Sequence, residues 1–85
     1  MTITRHATPL RLLWRMQGPA RVVAAALYEH PAGRELRVYF EPDGMDDVLQ
    51  TEVVGHDVAP LEEQAEVLRG LLRAQGWWPL PLKSQ

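Results

Sequence analysis

The side chains able to do chemistry are few. Histidine occurs three times, at His6, His30 and His56. His30 follows Glu29 and His56 precedes Asp57, so each imidazole has a neighbouring carboxylate that can serve in an acid/base pair or a metal ligand set. No HxH, HxxxH or HExxH spacing supports either use. Both histidines also fall where turns are expected, and a turn residue is the simpler reading. The aspartates Asp43, Asp46 and Asp47 surround Gly44, but the DxDxDG order and terminal glutamate of a calcium loop are missing. A solvated turn is expected there.

Nucleophiles are no better placed. There are no cysteines, which removes thiolate catalysis, disulfides and cysteine-ligated metals. Ser84 is the single serine, and Thr2, Thr4, Thr8 and Thr51 sit in no nucleophile context. The six glycines are too dispersed for a Walker or GxGxxG loop. The expectation is a non-enzymatic protein with no catalytic residue, no cofactor and no metal.

Charge is distributed unevenly. The net charge of −2 conceals a first third, up to Tyr28, that carries Arg5, Arg11, Arg15 and Arg21 and no carboxylate. The eleven acids all lie beyond it. Four arginines with Trp14 among them have the composition of a nucleic-acid surface, since guanidinium groups neutralise phosphate and an exposed indole stacks bases. The acidic remainder argues against that use. The alternative is that Arg11 and Arg15 line the solvent side of a strand whose Trp14 is core, with the charge halves pairing across a sheet.

These side chains must be positioned by a chain of 85 residues, one domain's worth, with 46% hydrophobic and 24% charged composition. Leu10, Leu12, Trp14 and Met16 alternate with Arg11, Leu13, Arg15 and Gln17, the period of a half-buried strand. Gly18-Pro19 breaks it. Residues 20–29 and 34–41 then read as a hairpin around Pro31, Ala32 and Gly33. Placing Glu29 opposite Arg34 sets Leu27 against Leu36, Ala25 against Val38 and Val23 against Phe40, one wholly apolar face. The other face pairs Tyr28 with Glu35, Ala26 with Arg37, Ala24 with Tyr39 and Val22 with Glu41. A slip by one residue would mix the two sets. Pro42-Asp43-Gly44 is a further turn, and Val48 to Val54 a fourth strand with Leu49, Thr51 and Val53 on one face.

A helix follows. Asp57 is the expected N-cap, Pro60 suits a first turn, and Glu62 and Glu63 complement the positive helix end. Gly76 fits the left-handed position past its C-terminus, with Trp77 folding back on Leu72 as in a Schellman cap. Leu61, Ala65, Leu68 and Leu72 form the core stripe, and Val67, Leu71 and Ala74 a second stripe at its flank. The expected architecture is α+β: a four-strand antiparallel meander with one C-terminal helix on one face, ββββα. It is one domain over 1–85, with a loose arm (1–9), a folded core (10–78) and a tail (79–85).

The segment from Ala26 to Val38, ALYEHPAGRELRV, and the later LEEQAEVLRGLL helix ending in Gly76-Trp77 resemble small uncharacterised single-domain bacterial proteins of the mobile-element, gene-cassette type. The resemblance implies the fold and carries over no catalytic residue, because its shared elements are turns and core.

One helix covers one face, so the other face (Val22, Ala24, Ala26, Tyr28, Tyr39), the extra helix stripe (Val67, Leu71, Ala74) and Trp78 are the candidate interfaces, the alternative for the sheet face being that the arm and tail fold over it within one chain. They predict a self-associating protein-interaction module, a homodimer with room for a protein partner. The second expectation is a small-molecule pocket between sheet and helix, lined by Trp14, Tyr39, Phe40 and Trp77. The third is nucleic-acid binding through Arg5, Arg11, Arg15 and Arg21. The longest apolar run, Val22 to Tyr28, is far below a membrane span, and no signal peptide is visible, which makes a cytoplasmic protein without membrane contact the default.

Overall fold

A computed structural model describes residues 8–41 and 48–82 of the chain. The elements run β1 (Thr8–Gln17), β2 (Val22–His30), β3 (Gly33–Glu41), β4 (Val48–Val54), α1 (Ala59–Ala74) and β5 (Trp78–Leu80). All strands pair antiparallel in one sheet of order β4-β3-β2-β1-β5. The first four strands form the meander and α1 lies across one face, the α+β arrangement expected from the pattern of the chain.

The β2–β3 hairpin has the register that the binary pattern requires, from Val22 opposite Glu41 to His30 opposite Gly33. Pro31 and Ala32 form the loop, and Gly33 leaves it at φ +143, a conformation that L side chains rarely adopt. On the helix-covered face Val23, Ala25 and Leu27 meet Leu36 and Val38. With Trp14, Met16, Leu61 and Ala65 they make one buried core, edged by Leu13, Phe40, Val58, Leu68, Leu72 and Trp77. Each fully buried aliphatic side chain contributes about 1.5–3 kcal/mol relative to exposure.

β1 departs from simple alternation. Its pairing with β2 shifts between Pro9 and Arg11 and again between Leu12 and Trp14. Each irregularity inserts a residue and resets which side chains share a face. Leu13 therefore joins Trp14 at the core, Leu12 stands opposite Ala26 on the other face, and Arg11 stands opposite Leu27 on the helix side. The expectation of Leu10 and Leu12 in one apolar row with Trp14 and Met16 is corrected by these shifts.

Asp57 is not the N-cap. The cap position is Val58, in the right-handed helical region with no side-chain cap bond. Asp57 acts one residue earlier, its Oδ1 accepting a hydrogen bond from the Ala59 N–H at 3.1 Å. At the other end Trp77 N–H donates to the Leu72 carbonyl at 3.1 Å and Gly76 N–H to the Arg73 carbonyl at 3.0 Å. With Gly76 at φ +99, these are the two bonds of a Schellman motif. The turn back then allows residues 78–80 to pair with β1, Gln17 opposite Trp78 and Arg15 opposite Leu80. The sheet thus begins at Thr8 and takes up Trp78–Leu80, beyond the boundaries of 10 and 78 expected for the folded core.

Candidate interaction surfaces

Three surfaces remain once the core is assembled: the sheet face away from α1, the outer side of α1, and the sheet edges.

The register builds the uncovered face in cross-strand rows. Tyr39, Ala24 and Arg15 form one row, Arg37, Ala26 and Leu12 the next, and Glu35, Tyr28 and Pro9 a third. The rows shield their own small residues: Ala24 is 0% exposed and Ala26 6%, although no helix lies over them. Val22, Tyr28 and Tyr39 are half-buried. Close docking of another surface onto the alanines, which their size suggested, is therefore obstructed by the side chains around them.

The same face carries a buried ion pair. Glu35 and Arg37 are 4% and 8% exposed, and Arg37 Nε lies 3.2 Å from Glu35 Oε2. The Arg37 guanidinium also sits over the Tyr28 ring, 4.8 Å from its centroid, a cation–π contact. The other carboxylate oxygen, Glu35 Oε1, is buried without a hydrogen-bond partner. Nearby, Arg15 grips Glu41 in a two-pronged contact, Nε to Oε2 and Nη2 to Oε1, both at 2.8 Å. The hydrogen bond to Glu41 holds the Arg15 guanidinium above its ordinary pKa, against a smaller opposing effect of burial. Burial pushes the Tyr39 hydroxyl up, with the neighbouring Tyr28 and Glu41 acting in the same direction.

Beside Tyr28 and Tyr39 lies an open cleft of about 280 Å³ whose lining includes Pro9, Leu12, Ala26, Tyr28 and Tyr39. It is not where an aromatic pocket was expected. Trp14 is 3% exposed and its Nε1–H donates to the Ala65 carbonyl at 3.0 Å. Phe40 and Trp77 pack on the same core, while Tyr39, the next residue along β3, lies on the opposite face. The four side chains do not line one space.

The outer side of α1 is different. Val67 is 61% exposed and Leu71 56%, and Ala74 is exposed beside them. Glu62 on the opposite flank is paired with Arg11 of β1. At 3.6 residues per turn Leu71 lies on the far side of the helix from Glu62, away from the contact with Arg11. Gly70 lies on the same outer surface, where an added β-carbon would meet nothing within 4 Å. At the far end of the helix the adjacent tryptophans diverge: Trp77 joins the core, and Trp78, 54% exposed, enters β5.

The arginines are dispersed. Arg11 pairs with Glu62 on the helix side and Arg15 with Glu41 on the other face. Arg21 sits over the Phe40 ring at 3.6 Å. Arg11 and Arg15 thus do not line one side of β1, because an irregularity of the strand separates them. Arg5, His6, Asp43, Asp46, Asp47 and Ser84 lie outside the described residues. His30 serves its own turn, Nδ1 accepting from the Ala32 N–H at 3.0 Å, and His56 is exposed. Among the described residues no three His, Asp or Glu side chains cluster as a metal site, and no helix is long and apolar enough to cross a membrane.

Glu35, Arg37, Leu12 and Pro9 were not singled out by the sequence as site residues. The first two had a readable signal, opposite charges two apart on one strand face, with an aromatic residue in the adjoining row. No family model, curated protein or solved structure matches the chain.

Proposed function

We propose that this protein is a self-associating interaction module whose shared surface is the side of the molecule bearing the outer flank of α1. The observation that carries the reading is the exposure of Val67 and Leu71, aligned one helical turn apart with Ala74 continuing the stripe. Exposed apolar groups so arranged mark a contact surface. Contact across a two-fold axis sets two such stripes antiparallel, each packed on its own copy in the partner. Mass measured by light scattering across a concentration series tests the reading, with Leu71→Glu expected to shift the population to monomer without changing the circular dichroism spectrum. A strict monomer in both proteins contradicts it.

A second reading is favoured by the Tyr28 and Tyr39 cleft. Arg37 already shows the chemistry that the Tyr28 ring accepts, a planar cation held between it and a carboxylate. A small planar cation such as benzamidine would then shift the ring proton resonances of Tyr28 and Tyr39. Unchanged resonances at millimolar ligand count against it.

A further inference from the structure

The two edges of the sheet are not equivalent. β5 closes one side with three residues, one of which, Pro79, has no N–H to offer, and Pro81 follows at once. Proline and shortness are devices that prevent edge-to-edge pairing. β4 forms the other edge over seven residues, VLQTEVV, with β3 as its strand neighbour on one side and no strand on the other among the described residues. It contains no proline and a single charge, Glu52. An edge of this kind is a template for another strand.

The sequence of β4 is self-complementary about its centre. Read from Thr51 outward, Gln50 is matched by Glu52, Leu49 by Val53 and Val48 by Val54. We infer that β4 pairs with β4 of a second copy, antiparallel and centred on Thr51, so that the two sheets become one continuous sheet. In this register Gln50 stands opposite the partner's Glu52, an amide donor against a carboxylate, and apolar residues stand opposite apolar ones. Centring the pair on Glu52 sets two carboxylates against each other, which costs stability. Centring it on Gln50 sets Glu52 against Val48.

The two-fold axis that relates such strands, normal to the sheet, keeps both α1 helices on one side. The two helices then run antiparallel on the same face of the joined sheet. The inference rests on the self-association reading and specifies its geometry.

The absence of cysteine allows a register-specific test. Opposed residues of an antiparallel pair have Cα atoms about 4.5–5.5 Å apart, within the roughly 4.4–6.8 Å range that a disulfide spans. Thr51→Cys, treated with diamide, is expected to give a covalent dimer at least tenfold faster than Val48→Cys, whose own symmetry mate lies about 20 Å away at roughly 3.4 Å per residue. Hydrogen exchange of the unaltered chain supplies a readout independent of any substitution: the β4 amides are expected to exchange more slowly as protein concentration rises. Equal cross-linking of both variants, or β4 exchange independent of concentration, in a protein that still sediments as a dimer overturns the strand pairing and leaves self-association through another surface. A protein that sediments as a monomer overturns both.

Discussion

The Trp77 indole lies against the backbone of Gly18, so closely that a β-carbon on Gly18 would stand 2.5 Å from the ring. This contact ties the turn after β1 to the C-terminus of α1. Gly18 is held in place by its own N–H, which donates to the Arg21 carbonyl at 2.9 Å. Trp77 is held by the Schellman turn and the core beneath it. Neither side can yield easily.

Gly18→Val is therefore expected to expel the Trp77 ring. The cost is about 1–3 kcal/mol, the range for overpacking a filled site. It is measured as a lower denaturant midpoint, together with a red-shifted tryptophan emission as Trp77 enters water. An unchanged midpoint and spectrum would show that the ring can move aside freely.

Much of this arrangement is legible in the chain. The β2–β3 register follows from alternation, since one apolar set and one polar set admit a single pairing, and the Schellman cap follows from Gly76-Trp77 after a run of helical period. The irregularities in β1 are not legible. Leu10, Leu12 and Leu13 are interchangeable to a period count, and which of them is inserted depends on how Trp14 and Arg11 meet the helix. Nor does Pro79 announce a strand. It is admitted because β5 lies at the sheet edge, where a missing N–H is tolerated. The burial of Ala24 and Ala26 is hidden for a related reason: residue size predicts an accessible floor, whereas Tyr39, Arg15 and Arg37 flank it in the cross-strand rows.

The Glu35–Arg37 pair predicts a non-additive result. Arg37→Met alone leaves a buried carboxylate without its cation and is expected to cost about 3–5 kcal/mol, whereas the double change Glu35→Leu with Arg37→Met is expected to restore most of that stability. Urea denaturation of the wild type, both single variants and the double variant closes the cycle. Additive losses would show that the two side chains act independently.

Tyr39 predicts a loss of stability in alkali. Its folded pKa is raised above the ordinary value near 10 by burial, Tyr28 and Glu41. The folded state thus favours the protonated phenol. That contribution is fully present below pH of about 10 and is lost as pH rises from there through the folded pKa. Absorbance at about 295 nm should show one tyrosine titrating late, and Tyr39→Phe should remove both that phase and its share of the alkaline destabilisation. A late phase that survives Tyr39→Phe would assign it elsewhere.

Gly70 predicts a gain. It occupies a helix interior with open space around its α-carbon, so Gly70→Ala is expected to raise stability by about 0.5–1 kcal/mol through helix propensity. Thermal denaturation at a concentration low enough to keep the chain monomeric measures this effect apart from association. A loss of stability under those conditions would show that the backbone at Gly70 needs the freedom of glycine.

Self-association is tested most directly by sedimentation equilibrium of the unaltered chain from about 1 to about 100 μM, a span that covers binding free energies of roughly −8 to −5 kcal/mol. The expected result is a mass that rises with concentration toward that of two chains, and a return to one chain at every concentration in Leu71→Glu. A mass of one chain throughout, in both proteins, would contradict the proposed function.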